Sequence, residues 1–183
     1  MKVLAFCGSP RKAGNTRTLL DEVARGVADA GGKCEILDIA AMNIAPCRAC
    51  KGCFGTGRCT QNEDMDGLYD KIAAADAFVF GTPVYFWGPS AQMKAFVDRW
   101  YSIVHGPDFR LLKGKKAAVV TPYADDEPST AQHTVGMFET AFKYLGLEFA
   151  GALGVTAGKE GEVRNDARAM EQAFALGQSL ARG

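Results

Sequence analysis

Lys2-Val3-Leu4-Ala5-Phe6-Cys7 runs directly into Gly8-Ser9-Pro10-Arg11-Lys12-Ala13-Gly14-Asn15-Thr16. Residues 2–7 form a near-continuous apolar run, the pattern of a strand buried on both faces. The nine residues that follow carry no bulky apolar side chain. From Asn15-Thr16 onward a helical period takes over. Leu19, Leu20, Val23 and Val27 fall on one face, Arg17, Asp21, Arg25 and Asp29 on the other, and Gly31-Gly32 ends it. A strand, a small polar turn and a helix together present backbone N–H groups and a positive helix end to an anion. Ser9, Asn15 and Thr16 add side-chain donors, and Arg11 can fork two N–H groups onto phosphate oxygens. Lys12 and Gly14 complete the candidate cradle.

Two absences narrow the anion. Asn15 rather than a lysine stands directly before Thr16, so this is not the loop that binds ATP or GTP. The G-x-G-x-x-G spacing that brings a helix against a pyrophosphate is missing too. A single terminal phosphate fits what remains. An ordinary polar turn with Asn15 or Thr16 as N-cap is the plainer alternative, but a turn alone does not require nine such residues.

Outward from this unit the chain repeats the alternation. Further strands are predicted at residues 33–39, 77–82, 116–121 and 149–155. Helices are predicted at about 65–75, from Ser90 with Met93, Phe96, Val97 and Trp100 inward, at about 129–145, and at roughly 165–180 with Met170, Ala173, Phe174 and Gly177 buried. Strict alternation makes an α/β, doubly wound, five-stranded parallel sheet the expected fold, and right-handed crossovers favour the flavodoxin-like order 2-1-3-4-5. The one long irregular segment, residues 40–64, is a cysteine-rich insertion after the second strand, and loops of that length are usually functional.

At 183 residues, 48% hydrophobic and 23% charged, the chain fits one domain, 1–183, with a substantial core. Its 21 Lys and Arg balance its 21 Asp and Glu, which removes the electrostatic reason to expect nucleic acid or an anionic membrane as partner. The first apolar run is too short for a signal-peptide core, and no stretch is long enough to cross a bilayer. A cytoplasmic location is expected, where thiols stay reduced.

The third predicted strand ends in Thr82-Pro83-Val84-Tyr85-Phe86-Trp87-Gly88-Pro89-Ser90. In the order 2-1-3-4-5 the first and third strands are neighbours at the switch point, where ligands of such sheets bind. The polar turn and this aromatic loop therefore flank one crevice. Three aromatics between prolines offer a stiff, flat, apolar rim for a planar ring, with the N–H groups of Val84, Tyr85 and Phe86 for its polar edge. One phosphate plus a planar heterocycle describes FMN. Burial of these aromatics in the core or in a dimer contact is the competing reading, most evenly matched at Trp87.

The strings Gly8-Ser9-Pro10-Arg11…Gly14-Asn15-Thr16 and Thr82-Pro83-Val84-Tyr85-Phe86…Gln92-Met93-Lys94-Ala95-Phe96-Val97-Asp98-Arg99 resemble those of the NAD(P)H-dependent FMN reductase and iron–sulfur flavoprotein families. The resemblance covers nearly the first 100 residues. It implies FMN held by Ser9, Arg11, Asn15, Thr16, Pro83, Val84, Tyr85 and Phe86, in a homodimer or tetramer with the flavin near a subunit contact. The loop Thr121-Pro122-Tyr123-Ala124-Asp125-Asp126 sits where such families place flavin contacts, although its acidic run departs from their pattern.

Between the second and third strands stands Cys47-Arg48-Ala49-Cys50-Lys51-Gly52-Cys53-Phe54-Gly55-Thr56-Gly57-Arg58-Cys59. Gly52, Gly55 and Gly57 permit a tight backbone, and Arg48, Lys51 and Arg58 offset thiolate charge. A [4Fe–4S] cluster takes four cysteines, often from a run that begins C-x2-C-x2-C. Here five residues precede the fourth cysteine, and Thr60 follows it where a ferredoxin run has proline. The compact spacing resembles that of iron–sulfur flavoproteins, which implies Cys47, Cys50, Cys53 and Cys59 as ligands. Zinc, a disulfide and metal-free redox thiols are the alternatives; zinc usually takes two separated C-x2-C pairs. Cys7 and Cys34 fall in strands and read as inert thiols.

Glu63-Asp64-Met65-Asp66 reads as a helix start, and His105 and His133 lack companions at metal-ligand spacing. No residue is assigned as catalytic. The expected activity is that of an FMN-dependent oxidoreductase relaying electrons between a [4Fe–4S] cluster and FMN, with NAD(P)H or a ferredoxin-like donor as reductant. A metal-free NAD(P)H-dependent FMN or quinone reductase is the first alternative, and a non-enzymatic redox carrier or sensor the second.

Overall fold

The computed structural model describes residues 1–61 and 63–182, so position 62 of the predicted 40–64 loop and position 183 of the predicted domain lie outside the described residues. β1 (Lys2–Cys7) pairs in parallel with β2 (Lys33–Asp38) on one side and β3 (Ala77–Gly81) on the other. A short antiparallel hairpin, β4 (Val84–Tyr85) and β5 (Gly88–Pro89), stands apart from the main sheet. β6 (Lys116–Tyr123) and β7 (Glu148–Thr156) complete the sheet in the order β2-β1-β3-β6-β7. With the hairpin set aside, this is the expected order 2-1-3-4-5.

Alternation along β1 divides the core. Leu4 and Phe6 face an aromatic layer with Phe78, Phe80, Phe96, Trp100, Phe138 and Phe142, beneath α2 (Tyr69–Ala74), α3 (Ala91–Arg99), α4 (Tyr101–Val104) and α5 (Gln132–Leu145). Val3, Ala5 and Cys7 face a layer of small aliphatics under α1 (Asn15–Asp29) and α6 (Ala167–Ala181). The second layer is thin because α1 and α6 meet backbone to backbone. A Cβ on Gly26 would fall onto the Phe174 carbonyl, and one on Gly177 onto the Val23 carbonyl.

That close crossing corrects the predicted inner face of the last helix. Ala169, Ala173, Gly177 and Leu180 are buried, whereas Met170 and Phe174 are only half-buried. Phe174 instead lies beneath Arg25, its ring centroid 5.8 Å from the guanidinium carbon. The helix predicted at 65–75 is also divided, with a 3-10 turn at Asp64–Gly67 and α2 beginning only at Tyr69. Gly67, a poor helix residue, sits at the junction. Pro128–Ala131 likewise forms a 3-10 turn ahead of α5. Among the described residues, no helix is long and apolar enough to cross a membrane.

Candidate functional site

The polar turn and the aromatic loop meet at the carboxyl ends of β1 and β3. The Gly8 amide donates to the Gly81 carbonyl at 2.8 Å, and the Ser90 hydroxyl donates to the Gly8 carbonyl at 2.6 Å. The same Ser90 oxygen caps α3 by accepting the Met93 N–H at 3.2 Å, and the Ser90 N–H donates to Thr82 Oγ1 at 2.9 Å. α3 presses on the turn closely enough that a Cβ on Gly8 would come within 2.7 Å of Met93 Cβ.

Within the turn, the Ser9 hydroxyl is buried and accepts the Arg11 N–H at 3.2 Å. Gly14 is the N-cap of α1, with no side-chain cap and no acidic residue in the first turn. The amides at the start of α1 are thus left to an external acceptor. Arg11 and Lys12 are exposed. Arg11 makes one long contact, 3.5 Å to the Gly158 carbonyl, which leaves most of its donor fork free. Thr16 is buried.

Asn15 behaves differently from the expectation that its amide faces the anion. Its Nδ2 donates to the carbonyls of Ala157 (2.9 Å) and Lys159 (2.8 Å), and its Oδ1 accepts the Val163 N–H at 3.2 Å. The side chain thus ties the loop after β7 against the turn, leaving its backbone N–H for a ligand. Sequence reading missed this 157–163 loop, because nothing local links it to a residue more than 140 positions earlier.

The aromatic loop is a hairpin rather than a flat rim. Pro83 and Val84 are half-buried, while Tyr85, Phe86 and Trp87 are 44%, 95% and 53% exposed. Phe86 and Trp87 sit at the tip with φ of 50° and 62°, a left-handed conformation that bulky residues rarely adopt. The acidic loop after β6 turns inward on itself, with Asp125 accepting from the Thr130 hydroxyl at 2.7 Å and from the Glu127 N–H at 3.1 Å.

At the far end of α3 lies the cysteine loop. Cys47, Cys50, Cys53 and Cys59 all line one small cavity, together with Gln61, Arg99 and Ser102. No group of three or more His, Cys, Asp or Glu among the described residues is set to hold a single metal ion. Cys47 and Cys50 are exposed, Cys59 is half-buried and Cys53 is buried. The Gly52 N–H and the Thr60 hydroxyl hold the Cys50 thiol below its ordinary pKa, whereas burial, reinforced by the other three thiols, pushes Cys53 up. Gly55 and Gly57 take positive φ as expected, and so do Ala49 (52°) and Lys51 (61°) between the cysteines. Cys7 is buried and Cys34 half-buried; burial raises both, Cys34 to about 11.

Side chains from the helices pin this loop. The Ser102 hydroxyl donates to the Arg99 carbonyl at 2.7 Å, so Tyr69 is the donor in its 2.8 Å bond to Ser102 and remains free to accept the Cys59 N–H at 3.0 Å. His105 packs between Phe54 and Tyr101, with centroids 4.1 and 4.4 Å away, and its carbonyl accepts the Gly55 N–H. Arg99, absent from the sequence-derived candidates, is 1% exposed. Its Nη1 bonds the Ala45 carbonyl at 2.8 Å and Glu63 at 2.6 Å, and it holds the Glu63 carboxylate below the usual range. Arg99 Nε and Nη2 are buried without a hydrogen-bond partner. An apolar groove of about 440 Å³, lined by Cys47, Trp100, Tyr101 and Tyr144 among others, opens beside the loop.

Residues 1–172 match the family described as NADPH-dependent FMN reductase. An iron–sulfur flavoprotein of Archaeoglobus fulgidus is 31% identical over 182 residues, spanning 99% of this chain and 79% of that protein. A Bacillus subtilis protein named as an NAD(P)H-dependent FMN-containing oxidoreductase is 28% identical over 180 residues, 96% of each. Among solved structures, an NAD(P)H:quinone oxidoreductase of Methanothermobacter marburgensis shares the fold, with a TM-score of 0.75 at 18% identity, over 100% of this chain and 98% of that one.

Proposed function

The chain belongs to the NADPH-dependent FMN reductase family, and from that premise we propose that this oxidoreductase binds FMN across the 8–16 turn and the 82–90 hairpin and relays electrons between it and a [4Fe–4S] cluster. The Ser90 hydroxyl carries the flavin part of this reading, because it joins the two halves of the crevice through one 2.6 Å bond to Gly8. The uncapped start of α1 and the free fork of Arg11 suit a phosphate, with Ser9, Gly14 and Asn15 shaping the turn beneath it and Lys12 adding charge. Thr16 contributes from the first turn of the helix. Pro83, Val84, Tyr85 and Phe86 would border the ring. Bound FMN supplies one- and two-electron chemistry; the chain's own task is to hold it, orient it and keep water from one face.

Cys47, Cys50, Cys53 and Cys59 would hold the cluster. Two unpartnered donor nitrogens of a buried guanidinium beside four thiols are what an anionic group in that cavity would satisfy. The cavity lies about 13 Å along α3 from Ser90, taking the helix rise over nine residues. The exposed hairpin tip supports a homodimer or tetramer in which a partner covers Tyr85, Phe86 and Trp87. NAD(P)H or a ferredoxin-like protein would be the reductant. The metal-free NAD(P)H-dependent reductase is the second reading, favoured by likeness to the Bacillus subtilis protein over nearly the whole of both chains.

Anaerobic purification, an absorption spectrum, and iron and acid-labile sulfide assays test the proposal together. Flavin bands with about four irons per chain are expected; flavin that NADPH bleaches without any iron would leave the metal-free reading standing. Protein that stays colourless when FMN is supplied would overturn both.

A further inference from the structure

We propose that Arg99 is the positioning cation of the cysteine cavity, holding a cluster by charge and by hydrogen bonds to its sulfurs, and thereby raising its reduction potential. This rests on the cluster reading above. The guanidinium is 1% exposed and lines the cavity that all four cysteines share. Nη1 is engaged by Ala45 and Glu63, and the Cys59 thiol acts on the same guanidinium. Nε and Nη2 have no hydrogen-bond partner among the described residues. A buried cation with unmet donors is costly unless an anion completes it.

The loop's other cations do not meet this need. Arg48 and Lys51 are exposed, and Arg58 is half exposed in an ion pair with Asp70. Their fields are screened by water, whereas that of Arg99 is screened much less. Reduction potentials of such clusters follow net charge, hydrogen bonds to sulfur and solvent exposure. Uptake of one electron adds negative charge, so a fixed buried cation with free N–H groups favours the reduced form. Glu63 on the opposite side of the guanidinium weakens that field without abolishing it. The two residues therefore act on the potential with opposite signs.

The experiment is an EPR-monitored redox titration of the full chain after anaerobic reconstitution with iron and sulfide, comparing wild type, Arg99→Met, Arg99→Lys and Glu63→Gln. Arg99→Met should move the midpoint to more negative potential and lose iron faster to a chelator. Arg99→Lys, which keeps the charge but not the fork, should fall between Arg99→Met and wild type. Glu63→Gln should move the midpoint to more positive potential. A purely structural role would shift both residues' variants in the same direction, and that result, or an unchanged midpoint, overturns the proposal. Should Arg99→Met fail to fold, Glu63→Gln decides alone, because an unchanged or more negative midpoint there excludes the assignment. Wild-type protein that takes up no iron and sulfide sinks the cluster reading itself, an outcome distinct from a cluster indifferent to Arg99.

Discussion

The 8–16 turn and the cysteine loop are the two places proposed to receive a charged group, yet the fold holds them in opposite ways. The turn hangs from β1 and runs into α1, and the groups it offers are mostly main-chain amides. α1 is in turn locked against α6 at Gly26 and Gly177, with no side chain between the two backbones. The cysteine loop contains no helix or strand in its described residues between 42 and 61. It is held by side chains reaching from elsewhere: Tyr69 to the Cys59 amide, Arg99 to the Ala45 carbonyl and Glu63, and Glu63 to the Ala45 amide. A site made of backbone shares the stability of the whole domain. A site made of pins can open alone.

Gly177→Ala should produce the largest effect. Its Cβ would collide with main-chain atoms of α1 that cannot rotate aside. Overpacking commonly costs about 1–3 kcal/mol and sometimes more, and a backbone obstacle puts this case at the upper end. Denaturant unfolding should show FMN release and loss of far-UV ellipticity in one shifted transition. Flavin release well before unfolding would break the view that the turn shares the domain's cooperativity.

Arg11→Ala comes next and touches binding rather than folding. Loss of a charge-assisted hydrogen bond of about 1–3 kcal/mol corresponds to roughly a five- to 150-fold higher Kd for FMN, read by titrating apoprotein with flavin. The midpoint of unfolding should hardly move, since Arg11 is exposed and makes only a 3.5 Å contact. Unchanged FMN affinity would remove it from the phosphate site.

The same contrast governs what the sequence reveals. The turn is legible because a buried strand, a small polar run and an amphipathic helix each leave their own periodicity, and Ser90 is readable as the start of α3. The hairpin at 84–89 is hidden, because its tip is Phe86-Trp87 where left-handed two-residue turns favour Asn-Gly. Arg99 is hidden because an arginine is normally read as surface. A signal did exist: Arg99 follows Phe96 by three positions and Ala95 by four, which places it on the buried face of α3. The partners of Asn15 left no such trace, since residues 157–163 reach it only through the folded sheet.

Tyr69→Phe sharpens the comparison from the other side. It deprives the Cys59 amide of its acceptor and the Ser102 oxygen of its donor, at about 1–2 kcal/mol. That loss should appear as roughly ten-fold faster hydrogen exchange in the cysteine loop, with the sheet amides unaffected. Acid should act on the same segment. Because Arg99 depresses the Glu63 pKa, the clamp is complete above the ordinary glutamate range and is lost as pH falls through the folded value. Protection factors near 43–47 should therefore drop before far-UV ellipticity does, and the early step should vanish in Glu63→Gln. Simultaneous loss of loop and sheet protection would show that the pins are not a separate unit.

Phe86→Gly carries the smallest effect and the most telling sign. A left-handed L-residue costs about 1–2 kcal/mol, and glycine's greater freedom in the unfolded chain returns about 0.5–1 of it. Because the Phe86 side chain is 95% exposed, little packing is lost in the isolated chain. The apoprotein should gain up to about 1 kcal/mol in stability while FMN affinity falls, the two shifts moving in opposition as they do where backbone strain serves a site. If stability and affinity both rise, the strained tip lies outside the flavin site, and its exposed aromatics answer to a different neighbour.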